Sequence, residues 1–558
     1  KKKLFQEVTA HFSDVGVAPH HEKLSGFKAR AVYSRWLRDR MILLQFETEN
    51  KFGASSVPLA IAQAAAFQPK KKIIEDMHLK PITYERLMAG AGALAKALDE
   101  PLQASGRHVG IMLPNLIALP TTMLAVWRLG KVPAILNYSS GVATLNACCE
   151  LAELKTIVTS REFLKRVKLD PKEIESQGIK LIYLDDIRPA IGMIDRLIAL
   201  LSAKLDPTKP YRSISAKKTA VVLFTSGSEG VPKGVELSHG NILANVRQVL
   251  SIYDIKDDDR FFNCLPMFHS FGLTAATILP LVRGLYSFVY PSPLHYRVVP
   301  TAFYNLDCTV MFGTNTFLNG YARKAHPYDF RNLRILIAGA EKLQAETARI
   351  WSQRFGVRIL EGYGATECSP AVTLNTPMQP CHGSAGRLLP GMEARLEPVE
   401  GVEEGGRLFV KGPNVMKGYL NPEANAKFQE LGGWYDTGDI VKIDEEGFVH
   451  ILGRLKRFAK ISGEMVSLTA VEDALAGGFP QYGIRCQIAV ISKPDVDKGE
   501  RLIAVSNEKK LTVNELRKVM IAKGHTNLWV PREVLFVEEI PKLGTGKINH
   551  RELQKHLP

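Results

Sequence analysis

The chain has 558 residues, 46% hydrophobic and 23% charged, ordinary for a globular protein and long enough to bury several cores. Its net charge of +15 points to an acidic partner, and without a helix-turn-helix, zinc-finger or RNA-binding aromatic signature nucleic acid is a poor one. The seven cysteines are odd in number and include no C-x-x-C pair, so they read as reduced thiols in a cytosolic compartment, not as a disulfide framework or a zinc site.

Residues 1–55 are basic, and an amphipathic helix is expected over 27–46. From about 60 to 300, helical stretches alternate with short apolar strands at 108–114, 132–138, 156–160, 180–186 and 220–226, and the pattern recurs at 334–340 and 358–364. Such alternation predicts βαβ units and mainly parallel sheets. Two uncharged runs, 108–127 and 261–282, are long enough to span a bilayer. Pro114, Asn115 and Pro120 in the first, and Asn263, Pro266, His269, Gly272 and Pro280 in the second, favour buried strand–loop–helix units instead. Residues 192–205 predict an amphipathic helix inside a surface excursion at 190–218. A helix facing the core is the simpler reading, and docking on a membrane surface the sharper one. After Gly383 the strands become short and turn-punctuated, as in a small β-rich subdomain. The last stretch, about 455–558, has the size and pattern of a separate α+β domain.

The chemistry concentrates in loops. The stretch LFTSGSEGVPKGVELSH, residues 223–239, follows an apolar strand with Thr225, Ser226, Gly227, Ser228, Gly230 and Lys233. Glycines let backbone N–H groups turn toward a polyanion, hydroxyls add donors, and a lysine adds positive charge. It is not a Walker loop, and Glu229 places an anion in its middle. Further along stand PMFHSFG (266–272), AGAEKL (338–343), EGYGATECSP (361–370), GWYDTGD (433–439), GRLKRFAKISGE (453–464) and PKLGTGK (541–547).

In this order and spacing the set resembles the adenylate-forming superfamily of acyl-CoA synthetases, peptide-synthetase adenylation domains and luciferases, over about residues 56–556. FTSGSEG, PSPLHYRVVP (291–300) and GRLKRFAKISGEMVSL (453–468) more closely resemble the acyl-[acyl carrier protein] synthetase half of bifunctional bacterial 2-acylglycerophosphoethanolamine acyltransferases. Residues 1–50 look like the end of that acyltransferase, whose His-x-x-x-x-Asp signature is absent here.

The resemblance implies an α/β fold: a large N-terminal domain of stacked, mainly parallel sheets with a small β-rich subdomain (56–454), behind the basic segment 1–55 and ahead of a small mobile C-terminal domain (455–558). It implies a fatty acid ligase working through an acyl-adenylate, using ATP and Mg²⁺, with acyl carrier protein as thiol acceptor and CoA as the alternative. A non-catalytic remnant is disfavoured because Thr366, Glu367, Asp439, Arg454 and Lys547 all stand. Residue by residue, Thr225, Ser226, Gly227, Ser228, Gly230 and Lys233 would cradle the β- and γ-phosphates. Gly339, Ala340 and Glu341 would line the adenine site, with Tyr363 stacking on the base beside Gly364. Thr366 would contact the α-phosphate and Glu367 would hold the metal. Asp439 and Arg454 would bind the ribose. Lys547 would reach the carboxylate and α-phosphate, Lys456 would be the hinge, and His269 would gate the acyl pocket, lined around Phe268, Leu273 and 313–317. Location in the cytoplasm or on the cytoplasmic face of a bacterial inner membrane is implied with it. Glu229 replaces the superfamily's usual threonine but is normal for the carrier-protein branch.

Overall fold

The computed structural model describes residues 10–12, 14, 16–18, 25–225, 232–462, 464–482, 486–495, 499–542 and 548–555. Four-residue apolar strands buried at every position, such as Val132–Ile135, Val310–Gly313 and Ile335–Ala338, are what helix-covered parallel sheets require. Two such sheets form. In one, Lys180–Tyr183, Thr156–Thr159, His108–Ile111, Val132–Ile135 and Thr219–Leu223 run parallel, and Val235–Ser238 and Gly418–Tyr419 close the edge antiparallel. In the other, six parallel strands run in the spatial order Lys72–Asp76, Tyr286–Val289, Arg260–Asn263, Val310–Gly313, Ile335–Ala338 and Ile359–Gly364. Ile82–Thr83 flanks them antiparallel on one side, Ala371–Leu374 and Arg387–Leu388 on the other. One continuous apolar core joins the two sheets through the helices between them.

Four antiparallel strands, Glu393–Glu397, Gly406–Lys411, Tyr435–Ile443 and Val449–Arg454, make the small β-rich unit. Beyond the 3₁₀ turn Leu455–Arg457, a five-stranded sheet carries its own cores on both faces: Val471, Leu475, Leu516 and Met520 on one, Ile491, Ile503, Ile540 and Leu553 on the other. The α/β architecture agrees with the sequence reading.

Element ends differ where local chemistry intervenes. The strand expected over 180–186 stops at Tyr183, and Leu184–Ala190 is a helix with Asp185 and Asp186 in its first turn, where carboxylates favour the helix dipole. The two uncharged runs are divided as expected, into His108–Ile111 plus Ala118–Arg128, and Arg260–Asn263 plus the π-helical Phe271–Ile278 and Leu279–Arg283. Among the described residues no helix is long and apolar enough to cross a membrane. The basic helix extends beyond the expected 27–46, over Gly26–Phe52, and buries only Phe46. The helix Met193–Leu205 does turn one face to the core, but with its small residues: only Ala199 and Ala203 are buried, and the large apolar side chains expected there face outward.

Candidate active site

In the six-stranded parallel array the chain leaves Arg260–Asn263 toward one side and Val310–Gly313 toward the other, so these neighbours form a switch point. Crevices outside the carboxyl ends of strands at such points are where α/β sheets bind ligands. The loops carrying His269, Thr314, Gly339–Glu341 and Thr366 all leave carboxyl ends. A depression of ≈ 490 Å³ lined by Lys72, Glu75, Asp259, Arg260 and Tyr286 lies at the amino ends instead, away from these motifs.

The loop after Thr219–Leu223 is pinned by Lys233, whose N–H donates to the Thr225 carbonyl at 3.2 Å. Thr225 Oγ1 is shielded from solvent and has no hydrogen-bond partner among the described residues, an arrangement that suits a bound anion's oxygen. Ser226, Gly227, Ser228, Glu229 and Gly230 lie outside the described residues.

A connection that the motifs do not reveal joins this loop to Glu367. Gly418–Tyr419 pairs with Val235–Glu236, which sets the Tyr419 ring beneath Lys233, its Nζ 4.9 Å from the ring centroid. The Tyr419 hydroxyl donates to Glu367 Oε1 at 2.8 Å. Glu367 is buried in the 3₁₀ turn Thr366–Cys368, and its carbonyl accepts from Met416 N–H at 2.7 Å. Burial and the Glu367 carboxylate push the Tyr419 phenol well up, so it remains a donor. A buried carboxylate, linked through Tyr419 to the lysine of the candidate phosphate loop, suits a divalent cation that shares phosphate oxygens. On the other side of the turn, Ser270 Oγ lies 3.4 Å from Thr366 Oγ1 and brings the His269 loop to it.

That loop leads into the π-helical turn Phe271–Ile278, where Leu279 N–H reaches back to the Thr274 carbonyl. Asn263 and Thr277 both donate to the Gly272 carbonyl, and a Cβ on Gly272 would come within 2.3 Å of the Pro266 carbonyl oxygen. Such widened turns recur at functional sites. The His269 ring packs on Phe268 with centroids 4.7 Å apart, and Phe268 packs on Tyr138. A narrow cavity of ≈ 30 Å³ runs beside this helix, lined by Val249, Phe271, Ala275, Leu279, Phe312 and Ile337. Its lining includes Thr274 and Phe312, the chain neighbours of the expected Leu273 and Gly313, but not Phe268, Leu273 or 313–317 themselves.

Asp439 sits where Tyr435–Ile443 pairs with Val449–Arg454. It is 8% exposed; its Oδ2 accepts from the Tyr363 hydroxyl at 2.6 Å and its Oδ1 from Arg454 Nε at 2.9 Å. The structure therefore brings Tyr363, Asp439 and Arg454 together across three strands. Gly364 is needed for space, since a Cβ there would come within 2.1 Å of the Pro370 carbonyl oxygen. Gly339 faces the Phe271 ring, and Ala340 adopts φ +68° in the turn that follows. Glu341 is committed to the protein: its Oε2 accepts from Thr316 N–H and hydroxyl at 3.0 and 2.9 Å. Lys542, from the C-terminal sheet region, lies close enough to feel its charge. Lys342 and Asp473 form a 2.6 Å ion pair across the same boundary. Lys456 is exposed on its turn, whereas the adjacent Arg457 is tied to Glu472 at 2.7 Å; Lys547 lies outside the described residues.

Sequence reasoning missed Tyr419, Ser270 and Glu361. Burial pushes the Glu361 carboxyl up to about 7, against hydrogen bonds from Leu343 and Gly383 N–H. Glu361 opens the quoted EGYGATE motif, so an acid in an otherwise small-residue strand was its available signal.

A family model described as AMP-binding enzyme matches residues 61–420. The chain belongs to the AMP-binding enzyme family. The long-chain-fatty-acid–CoA ligase of Salmonella typhimurium is 29% identical over 512 residues, 85% of this chain and 90% of that protein. ATP-bound MatB from Rhodopseudomonas palustris aligns with a TM-score of 0.75 at 26% identity, over 90% of this chain and 98% of that one. The o-succinylbenzoate CoA synthetase MenE of Bacillus subtilis, in complex with ATP and magnesium ion, shares the fold with a TM-score of 0.75 at 22% identity, over 89% and 99%. The family match spans residues 225–233, the Thr366–Glu367 turn and Tyr419, and the fold brings Lys233, Tyr419 and Glu367 of these together.

Proposed function

We propose that this AMP-binding enzyme activates a fatty acid with ATP and Mg²⁺ and passes the acyl group to the phosphopantetheine thiol of acyl carrier protein, in service of lysophospholipid re-acylation at the cytoplasmic face of a bacterial inner membrane. The observation that carries the ligase reading is the chain of contacts Lys233–Tyr419–Glu367 with Thr366–Ser270, beside the Tyr363–Asp439–Arg454 group. A carboxylate oxygen of the fatty acid attacks the α-phosphorus of ATP, the α–β phosphoanhydride bond breaks, and pyrophosphate leaves. The thiolate then attacks the acyl carbon, and AMP leaves with the electrons of the acyl–phosphate bond.

Lys233 and Thr225 oppose the charge of the outer phosphates, and Asp439 accepts from the ribose hydroxyls with the lone pairs that Tyr363 and Arg454 leave it. Glu367 would hold Mg²⁺, which neutralises phosphate charge when bound. Lys547 supplies charge at the α-phosphate from a mobile C-terminal domain swinging at Lys456, and His269 gates the acyl site. The closer sequence resemblance and the +15 net charge support an acidic carrier protein as acceptor. The name of the Salmonella relative favours a second reading, a long-chain fatty acid–CoA ligase.

Acyl transfer from palmitate and ATP to holo-carrier protein and to CoA separates them. Preference for carrier protein is expected, and clear preference for CoA establishes the second reading. Lys547→Ala should abolish pyrophosphate release while leaving thioester formation from supplied acyl-adenylate. Equal loss in both half-reactions would refute its role.

A further inference from the structure

The helix Met193–Leu205 is built the opposite way round from a helix that serves only a core. Its small residues face inward: Ala199 and Ala203 are buried, and a Cβ on Gly92 of the helix Tyr84–Gln103 would lie 3.5 Å from the Ala199 Cβ. Its large residues face outward: Met193 is 87% exposed, Ile194 74%, Leu197 56%, Ile198 59%, Leu201 48% and Leu205 84%. At the α-helical repeat these six positions fall within an arc of about 140°. Leaving so much aliphatic surface in water is unfavourable unless something covers it.

We propose that this face is a docking surface for an anionic lipid bilayer, with the helix lying in the plane of the headgroups. Three observations favour lipid over a protein partner. The apolar side chains of the face include no aromatic, whereas protein interfaces are enriched in aromatic anchors. Residues 193–212 carry exposed Arg196, Lys204, Lys209 and Arg212 against Asp195 and Asp206, so the apolar face is accompanied by net positive charge on a chain that is itself +15. The third rests on the fatty acid reading above: such a substrate partitions into bilayers, and docking there brings the enzyme to it. Arg212 pairs with Asp206 at 2.7 Å, Lys204 with Glu85 at 3.4 Å, and Arg196 donates to the Arg188 carbonyl at 3.3 Å, which leaves Lys209 as the cation of this stretch most available to headgroups.

The test uses the full chain without ligands. Co-sedimentation with vesicles of phosphatidylethanolamine and phosphatidylglycerol should exceed that with phosphatidylcholine alone. Leu197→Gln/Ile198→Gln/Leu201→Gln should lower the partition coefficient by about tenfold or more, with its melting temperature unchanged because all three side chains are exposed. Should that variant fold poorly, Ile198→Trp serves instead: its added indole should shift to the blue on anionic vesicles and be quenched by brominated lipid. Absence of wild-type partition, equal partition of the triple variant, or an unshifted indole would overturn the proposal. So would a wild-type dimer by light scattering that the triple variant dissolves, since the face would then be covered by a second copy. Pyrophosphate release with octanoate in vesicle-free buffer should be the same in wild type and variants. Silence there, with vesicle binding intact, would refute the fatty acid reading and leave the docking surface standing.

Discussion

Tyr419 offers the sharpest test of how the site is assembled. It is 7% exposed, its ring lies under Lys233, and its hydroxyl lies 2.8 Å from Glu367 Oε1. Tyr419→Phe keeps the ring and removes only the hydroxyl. A hydrogen bond to a charged group is worth about 1.5–3 kcal/mol, and about 1.4 kcal/mol is a tenfold change. If the hydroxyl orients the carboxylate for the metal, kcat/KM for ATP should fall about 10- to 100-fold. Tyr419→Leu, which also removes the face beneath Lys233, should lose a further about 0.5–2 kcal/mol. ATP–pyrophosphate exchange with saturating fatty acid, repeated across Mg²⁺ concentrations, measures both. The Phe variant should recover part of its loss at high Mg²⁺. A loss under twofold at every Mg²⁺ level, or one that ignores Mg²⁺ and follows only the melting temperature, would refute the reasoning.

Glu361 makes stability depend on pH. Its folded pKa is raised from 4.5 to about 7, so the folded state keeps a proton that the unfolded state releases. Its contribution is fully present below pH 4.5 and is lost as pH rises through 7, a change of up to about 3 kcal/mol. Glu361→Gln should remove that slope, so its melting temperature should gain on wild type between pH 5 and 8; parallel profiles would show that Glu361 is not the cause. Asp439→Asn places an amide N–H₂ against one of two donors, Tyr363 or Arg454. It should raise the KM for ATP at least tenfold and cost about 1–3 kcal/mol of stability in a denaturant titration. Gly364→Ala forces a Cβ against the Pro370 carbonyl. It should destabilise by about 1–3 kcal/mol and depress pyrophosphate release by moving the Thr366–Glu367 turn; a fully active, equally stable variant would contradict the packing.

The sequence by itself determined the element types and the order of the motifs. Apolar runs such as ILIA at 335–338 can be satisfied only between helices, and the breakers Pro114 and Pro266 divide the uncharged runs whatever surrounds them. The acids and hydroxyls at 363–367 and 433–439 were legible because each motif is local. The tertiary structure alone decided what meets across long separations. Tyr419 reaches Glu367 and Lys233 because a two-residue strand pairs with Val235–Glu236, and Ser270 reaches Thr366 although two strands, Val310–Gly313 and Ile335–Ala338, separate the parallel strands that lead to them. Neither contact leaves a trace in local spacing. The helix Met193–Leu205 shows the same division. Its periodicity guarantees an apolar face, but whether that face meets the core or the solvent depends on the small residues, Ala199 and Gly92, that let its other side approach the neighbouring helix.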